Sequence, residues 1–182
     1  MKKLFSVLGT SLFLFPSTGL TQTTPLSTSN VAVASFGQVE VAAGASGNIS
    51  LGTDASIMYG AGYSGAGTGT AGGFTLSGDA GFPVEISCQN TATLTNSFGG
   101  TLPISGVEVV ANTEGTGGFG FGAPCQGTGT TAKIFTLRTD SAENRFSYGV
   151  RIDGTGGVPG GGGSFSTSNP GGSAVSFMFA YQ

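Results

Sequence analysis

Apolar and small polar residues alternate along most of this chain, in short stretches separated by glycine. Val31, Val33 and Ser35 share one face of an extended segment, and Ala32, Ala34 and Phe36 share the other. Gly37 permits a bend or bulge, after which Val39 and Val41 continue. Ile49 with Leu51, Ile57 to Tyr59, and Phe74 with Leu76 predict three further strands. Val84, Ile86 and Cys88 then alternate cleanly. Leu102 and Ile104 followed by Val107 and Val109 predict a strand broken at Gly106, and Ile134 to Leu137 predict another. Phe146, Tyr148, Val150 and Ile152 make the best-patterned strand in the middle of the chain. Val175, Phe177, Phe179 and Tyr181 close the chain on one face, a pattern suited to a central strand of a sandwich. A two-residue repeat puts one face on a core and the other in water. Outside the first residues no window carries the spacing of an amphipathic helix. Eight to ten strands at spacings of roughly ten residues predict a single all-β domain, a sandwich or a barrel.

Glycine explains what lies between the strands. It accounts for 35 of 182 residues, and each one in a helix interior would be unfavourable by about 1 kcal/mol against Ala. Residues 60–73, 115–127 and 154–163 read as long glycine-rich loops, and Asp79, Ala80 and Gly81 as a turn. The glycines follow no three-residue period, which excludes collagen.

The N-terminus predicts export. Lys2 and Lys3 precede a twelve-residue apolar stretch, Leu4 to Phe15, and the small residues Ser17, Thr18 and Gly19 follow. Such a stretch is short of the roughly 20 residues that span a bilayer, and it suits a signal peptide cleaved after Gly19. The expected organisation is a leader at 1–19, a polar Thr/Ser-rich extension at 20–30, and one β-domain at 31–182. The mature chain keeps four basic residues (Lys133, Arg138, Arg145, Arg151) against nine acidic ones, a net charge of −5. So few cations exclude nucleic-acid binding by phosphate neutralisation.

Chemistry is sparse. With no His in the chain, neither a Ser-His nor a Cys-His dyad is available, and no metal or other cofactor is expected. In an oxidising compartment Cys88 and Cys125 predict a disulfide, with two buried thiols as the alternative. The bridge would close a loop of roughly 38 residues, worth about 4 kcal/mol in the chain-entropy model. The acids are scattered singly, so Glu85, Glu108, Asp140 and Glu143 are each expected on a solvated surface. A paired-carboxylate site would depend on geometry alone. Gly60-Ala-Gly62-Tyr-Ser-Gly65 and Gly115-Thr-Gly117-Gly-Phe-Gly120 fit the dinucleotide-loop spacing, but neither opens a helix, as that loop requires. No catalytic centre and no small-molecule substrate are expected.

Ser35-Phe36-Gly37-Gln38-Val39, Gly47-Asn48-Ile49-Ser50-Leu51, and Gly73-Phe74-Thr75-Leu76-Ser77-Gly78 followed by Gly81 form an ordered series closed by the strand ending at Tyr181. Over residues 31–182 this series resembles a family of secreted bacterial β-domains of uncharacterised function found beside pilus-assembly genes, similar in outline to chaperone–usher pilins. The resemblance implies an immunoglobulin-like, pilin-like antiparallel sandwich and a role in a pilus or surface fibre. The long glycine loops depart from the pilin pattern, as does the C-terminus, which lacks the short Gly-Tyr-Gly pattern. The functional expectation is an exported structural subunit that polymerises with copies of itself or with other fibre subunits, helped by an assembly chaperone. Residues 20–36 would pair with a neighbour by β-strand addition, with Val31 and Val33 as the buried anchors. The alternatives are an internal first strand of its own sandwich for 31–36, a monomeric surface or periplasmic binding domain whose glycine loops meet ligand, and a small outer-membrane barrel.

Overall fold

The computed structural model describes residues 24–42, 45–65, 69–89, 92–125, 133–153 and 165–182. The leader at 1–19 and the loop at 154–163 lie outside them. The described strands are β1 (Ser27–Ala32), β2 (Glu40–Val41), β3 (Ile49–Leu51), β4 (Ile57–Tyr59), β5 (Tyr63–Ser64), β6 (Gly72–Ser77), β7 (Pro83–Gln89), β8 (Thr93–Thr95), β9 (Thr101–Ala111), β10 (Ala123–Pro124), β11 (Lys133–Thr136), β12 (Arg145–Ile152) and β13 (Ser176–Tyr181). One turn of 3-10 helix (Asn112–Glu114) follows β9.

The fold is all-β, with antiparallel sheets packed as a sandwich. The larger sheet is organised around β12. One side of β12 pairs with β9 from Phe146 to Ile152. Its other side is shared, by β6 along residues 145–148 and by β3 along 150–152. β1 extends this sheet beyond β6, β4 extends it beyond β3, and β8 and β10 add to β9. The second sheet runs β11-β7-β13, and β2 pairs with β5 separately.

Alternation decides which side chains meet between the sheets. Leu51, Leu76, Val107, Val109, Phe146 and Val150 face Val84, Ile86, Cys88 and Phe135, all buried. Aromatic rings join the layers. Phe74 stacks on Phe146 at 5.2 Å and meets Phe177 and Phe179 of β13 at 5.1 and 5.3 Å. Phe135 of β11 sets its edge to Phe146 at 5.0 Å. Such ring pairs add about 0.5–1.5 kcal/mol each beyond the area they bury.

Two expectations change in the fold. The break at Gly106 is a bulge within one strand: Arg151 pairs with Gly106 and Ile152 with Ile104, so Ser105 is the additional residue. β13 pairs with β7 and sits at the edge of its sheet in place of the expected central position. A two-residue period reports which face is covered, not how many neighbours a strand has. The described sheets end in open edges, at β1, β4, β8 and β10 of the larger sheet and at β11 and β13 of the second.

The first strand begins at Ser27, inside the segment expected to be a polar tail. β1 lies on the edge beside β6, in register Ser27 to Ser77, with an irregularity between Ser29 and Ala32 where Asn30 takes a φ of 51°. All six of its residues are exposed. An edge strand can form from polar residues because backbone pairing does not require an apolar face. Two tyrosine hydroxyls secure its ends. Tyr181 donates to the Thr24 carbonyl (2.9 Å) and accepts from the Asp79 amide (2.7 Å). Tyr148 donates to the Ala32 carbonyl (3.3 Å) and accepts from the Ala34 amide (3.4 Å). Gly72 leaves room for that ring: a Cβ there would fall inside Tyr148.

Candidate functional site

Residues 115–125 form an arm that folds back over the outer face of the larger sheet. Cys125 at its end is bonded to Cys88 of β7, so the expected disulfide joins the arm to the opposite sheet. The Cys125 amide also donates to the Val107 carbonyl (3.1 Å). Near its start the arm is tied to the turn after β3. The Gly117 carbonyl accepts from Thr53 Oγ1 (3.1 Å) and from the Asp54 amide (3.2 Å), and the Gly117 amide donates back to Thr53 Oγ1 (3.1 Å). Glycine is required at this crossing. A Cβ on Gly52 would stand 2.6 Å from the Gly117 carbonyl oxygen and 2.7 Å from the Gly118 Cα.

Glu108 lies beneath the arm. Antiparallel pairing sets it opposite Gly149 of β12 and Pro124 of β10, on the face away from the core. The expectation of a solvated carboxylate is wrong for this residue: Glu108 is only 3 % exposed. Bare glycine backbone makes the space. The side chain passes over Gly149, whose missing Cβ would be 3.1 Å from Glu108 Oε1, and under Gly122, whose missing Cβ would be 3.2 Å from Glu108 Cβ. Glu108 Oε2 accepts from the Gly120 amide (2.6 Å), and the Gly122 amide also points at the carboxylate. Oε1 is buried and accepts no hydrogen bond. Burial raises the carboxyl's pKa above the ordinary glutamate value, and the negative charge of Asp54 pushes the same way; the two amides oppose them. Asp54 itself is held below its ordinary value by hydrogen bonds from Ser56.

A groove of about 420 Å³ opens beside the arm, within the size range of small-ligand sites. Its walls include Ser105 at the bulge, Glu108, Phe119, Gly120, Arg151 and Asp153. Arg151 Nε donates to Asp153 Oδ1 (3.0 Å) at the half-exposed rim. With its amide oriented to suit both neighbours, Asn48 donates to Asp153 (3.2 Å) and accepts from Arg151. Two of the nine acids expected to be scattered, Glu108 and Asp153, thus line one groove. No group of three or more His, Cys, Asp or Glu side chains that could hold a metal occurs among the described residues.

Val31 and Val33 do not line this groove. They are 69 % and 74 % exposed on and just beyond edge strand β1, and neither side chain belongs to the core. Glu85, Asp140 and Glu143 are not buried, and the Gln182 amide donates to Glu85 (2.6 Å). Sequence reading missed Glu108 although one signal was present. Val107 and Val109 flank it on a strand with a glycine-rich segment shortly after, so an outward acid could be covered by the returning chain. Comparison with family models, curated proteins and solved structures finds no match to this chain.

Proposed function

We propose that this protein is an exported structural subunit of a bacterial surface fibre or pilus, assembling by β-strand addition, with an assembly chaperone as a transient partner. The observation that supports this most is the state of β1. It adds no side chain to the core, is held to β6 by backbone pairing and to the domain by tyrosine hydroxyls, and exposes Val31 and Val33. A segment held this way can leave its own sheet edge and pair with a neighbour's while giving up only the flanking contacts of Leu26, Ala34 and Phe36 with the core. Its two exposed valines then supply apolar area that an isolated subunit leaves in water.

Electron microscopy and size-exclusion chromatography of the exported, oxidised protein test this reading. Fibres or a ladder of oligomers are expected from the wild type. Folded monomers are expected when both Val31 and Val33 are replaced by Asp. A wild-type protein that stays monomeric at high concentration and forms no fibres on cells overturns it. A monomeric binding domain is the second reading, and the groove beside the glycine arm is the observation that favours it.

A further inference from the structure

We propose that the groove between the arm and the end of β12 is a binding site for a neutral polyhydroxylated ligand, such as one sugar residue of a surface glycan. The charge pattern selects the class. Arg151 stands at one side, and Glu108 and Asp153 share the walls. Arg151 and Asp153 neutralise each other and the remaining carboxylate, Glu108, is buried, so the rim carries no net charge to select an ion. A neutral ligand with several hydroxyls suits such a rim, because each hydroxyl both donates and accepts. The rim is made for such groups: Asp153 accepts, Arg151 donates, and Asn48 links the two and fixes their orientation. Phe119 supplies the apolar surface on which the C–H face of a sugar ring can lie.

Glu108 gives an independent reason to expect a ligand. It is almost wholly buried, yet Oε1 has no hydrogen-bond partner. A buried acceptor left unpaired is unfavourable by about 1–3 kcal/mol, and most such atoms in folded proteins are paired. The other carboxylate oxygen is fixed by the Gly120 amide, so the group cannot turn to find a partner elsewhere. Gly120 and Gly122 wall both the groove and the carboxylate. This site is separate from β1, so it holds whether or not the protein polymerises.

The test is an amide NMR titration of the oxidised protein with the methyl glycosides of glucose, galactose, mannose and N-acetylglucosamine, each used singly. One of them is expected to saturate with a dissociation constant of about 1 mM. Its shifts should centre on Ser105, Gly120, Gly122 and Arg151. Arg151→Ala and Phe119→Ala should each weaken binding at least about tenfold. Asp153→Asn serves the same purpose should the Arg151 variant lose its dispersed spectrum. Absence of saturable shifts with all four glycosides overturns the proposal. So do shifts centred elsewhere on the domain, or affinity unchanged in folded rim variants.

Discussion

Replacing Glu108 separates a charge held for its hydrogen bonds from a charge that is simply costly to bury. Glu108→Ala removes the acceptor for the Gly120 amide and the partner of the Gly122 amide. Each unpaired buried amide is unfavourable by about 1–3 kcal/mol. Gly120 is exposed and can recruit water, so a total loss of about 2 kcal/mol is expected, a fall in melting temperature of about 4–8 °C for a domain of this size. Glu108→Gln keeps one oxygen acceptor and removes the buried charge. Neutral replacement of a poorly compensated buried charge is close to neutral or stabilising, so its melting temperature at pH 7 should equal or exceed that of the wild type. The pH dependence follows from the raised pKa. The folded protein holds a proton on Glu108 at pH values where the unfolded chain has released it. The resulting stabilisation is complete below the ordinary glutamate pKa and is lost as pH rises through the raised value. Any advantage of Glu108→Gln over the wild type should therefore be largest at neutral pH and shrink on acidification. Thermal melts of the wild type and both variants across pH 4 to 8 measure this directly. Destabilisation of Glu108→Gln equal to that of Glu108→Ala at pH 7, or a Gln-to-wild-type difference that ignores pH, refutes the reasoning.

Other regions yield sharp expectations as well. Replacing Cys88 and Cys125 together with Ala should lower stability by about 4 kcal/mol in urea titrations, from the 37-residue separation that the bridge closes. Phe146→Ala removes a fully buried ring packed on Phe74 and Phe135 and should lose about 3–5 kcal/mol in the same assay. Val31→Asp with Val33→Asp should leave monomer stability within about 0.5 kcal/mol by thermal melting, because both side chains are exposed; unfolding would show that β1 has a core role. Tyr181→Phe deletes the hydroxyl that holds Thr24 and Asp79. It should lower stability by about 1 kcal/mol and speed proteolytic cleavage within residues 24–32.

Period-two alternation by itself specified the all-β class and the strongest strands. Val84, Ile86 and Cys88, then Phe146 to Ile152, then Phe177 to Tyr181 could bury one face only as strands. It also marked an irregularity next to Gly106, which in the fold is a bulge at Ser105 within one continuous strand. The pairing of Cys88 with Cys125 was legible because only two cysteines are present. Short polar strands were not legible: β1, β5, β8 and β10 are too short or too polar to show a period, and they exist because a neighbouring edge offers backbone partners. Nor could alternation place β13 at an edge, since it records the covered face and not the neighbours. The candidate site was the least visible part. Ser105, Glu108, Phe119, Arg151 and Asp153 come from two strands, a bulge and a returning arm. Sequence marks Glu108 only as an outward position on a strand, and an outward acid is ordinarily solvated. What buried it is the path of residues 115–125, set by the Cys125 bond, the Thr53 clasp and bare glycine backbone at 52, 122 and 149. That is a matter of long-range closeness in space, which no local pattern of polar and apolar residues encodes.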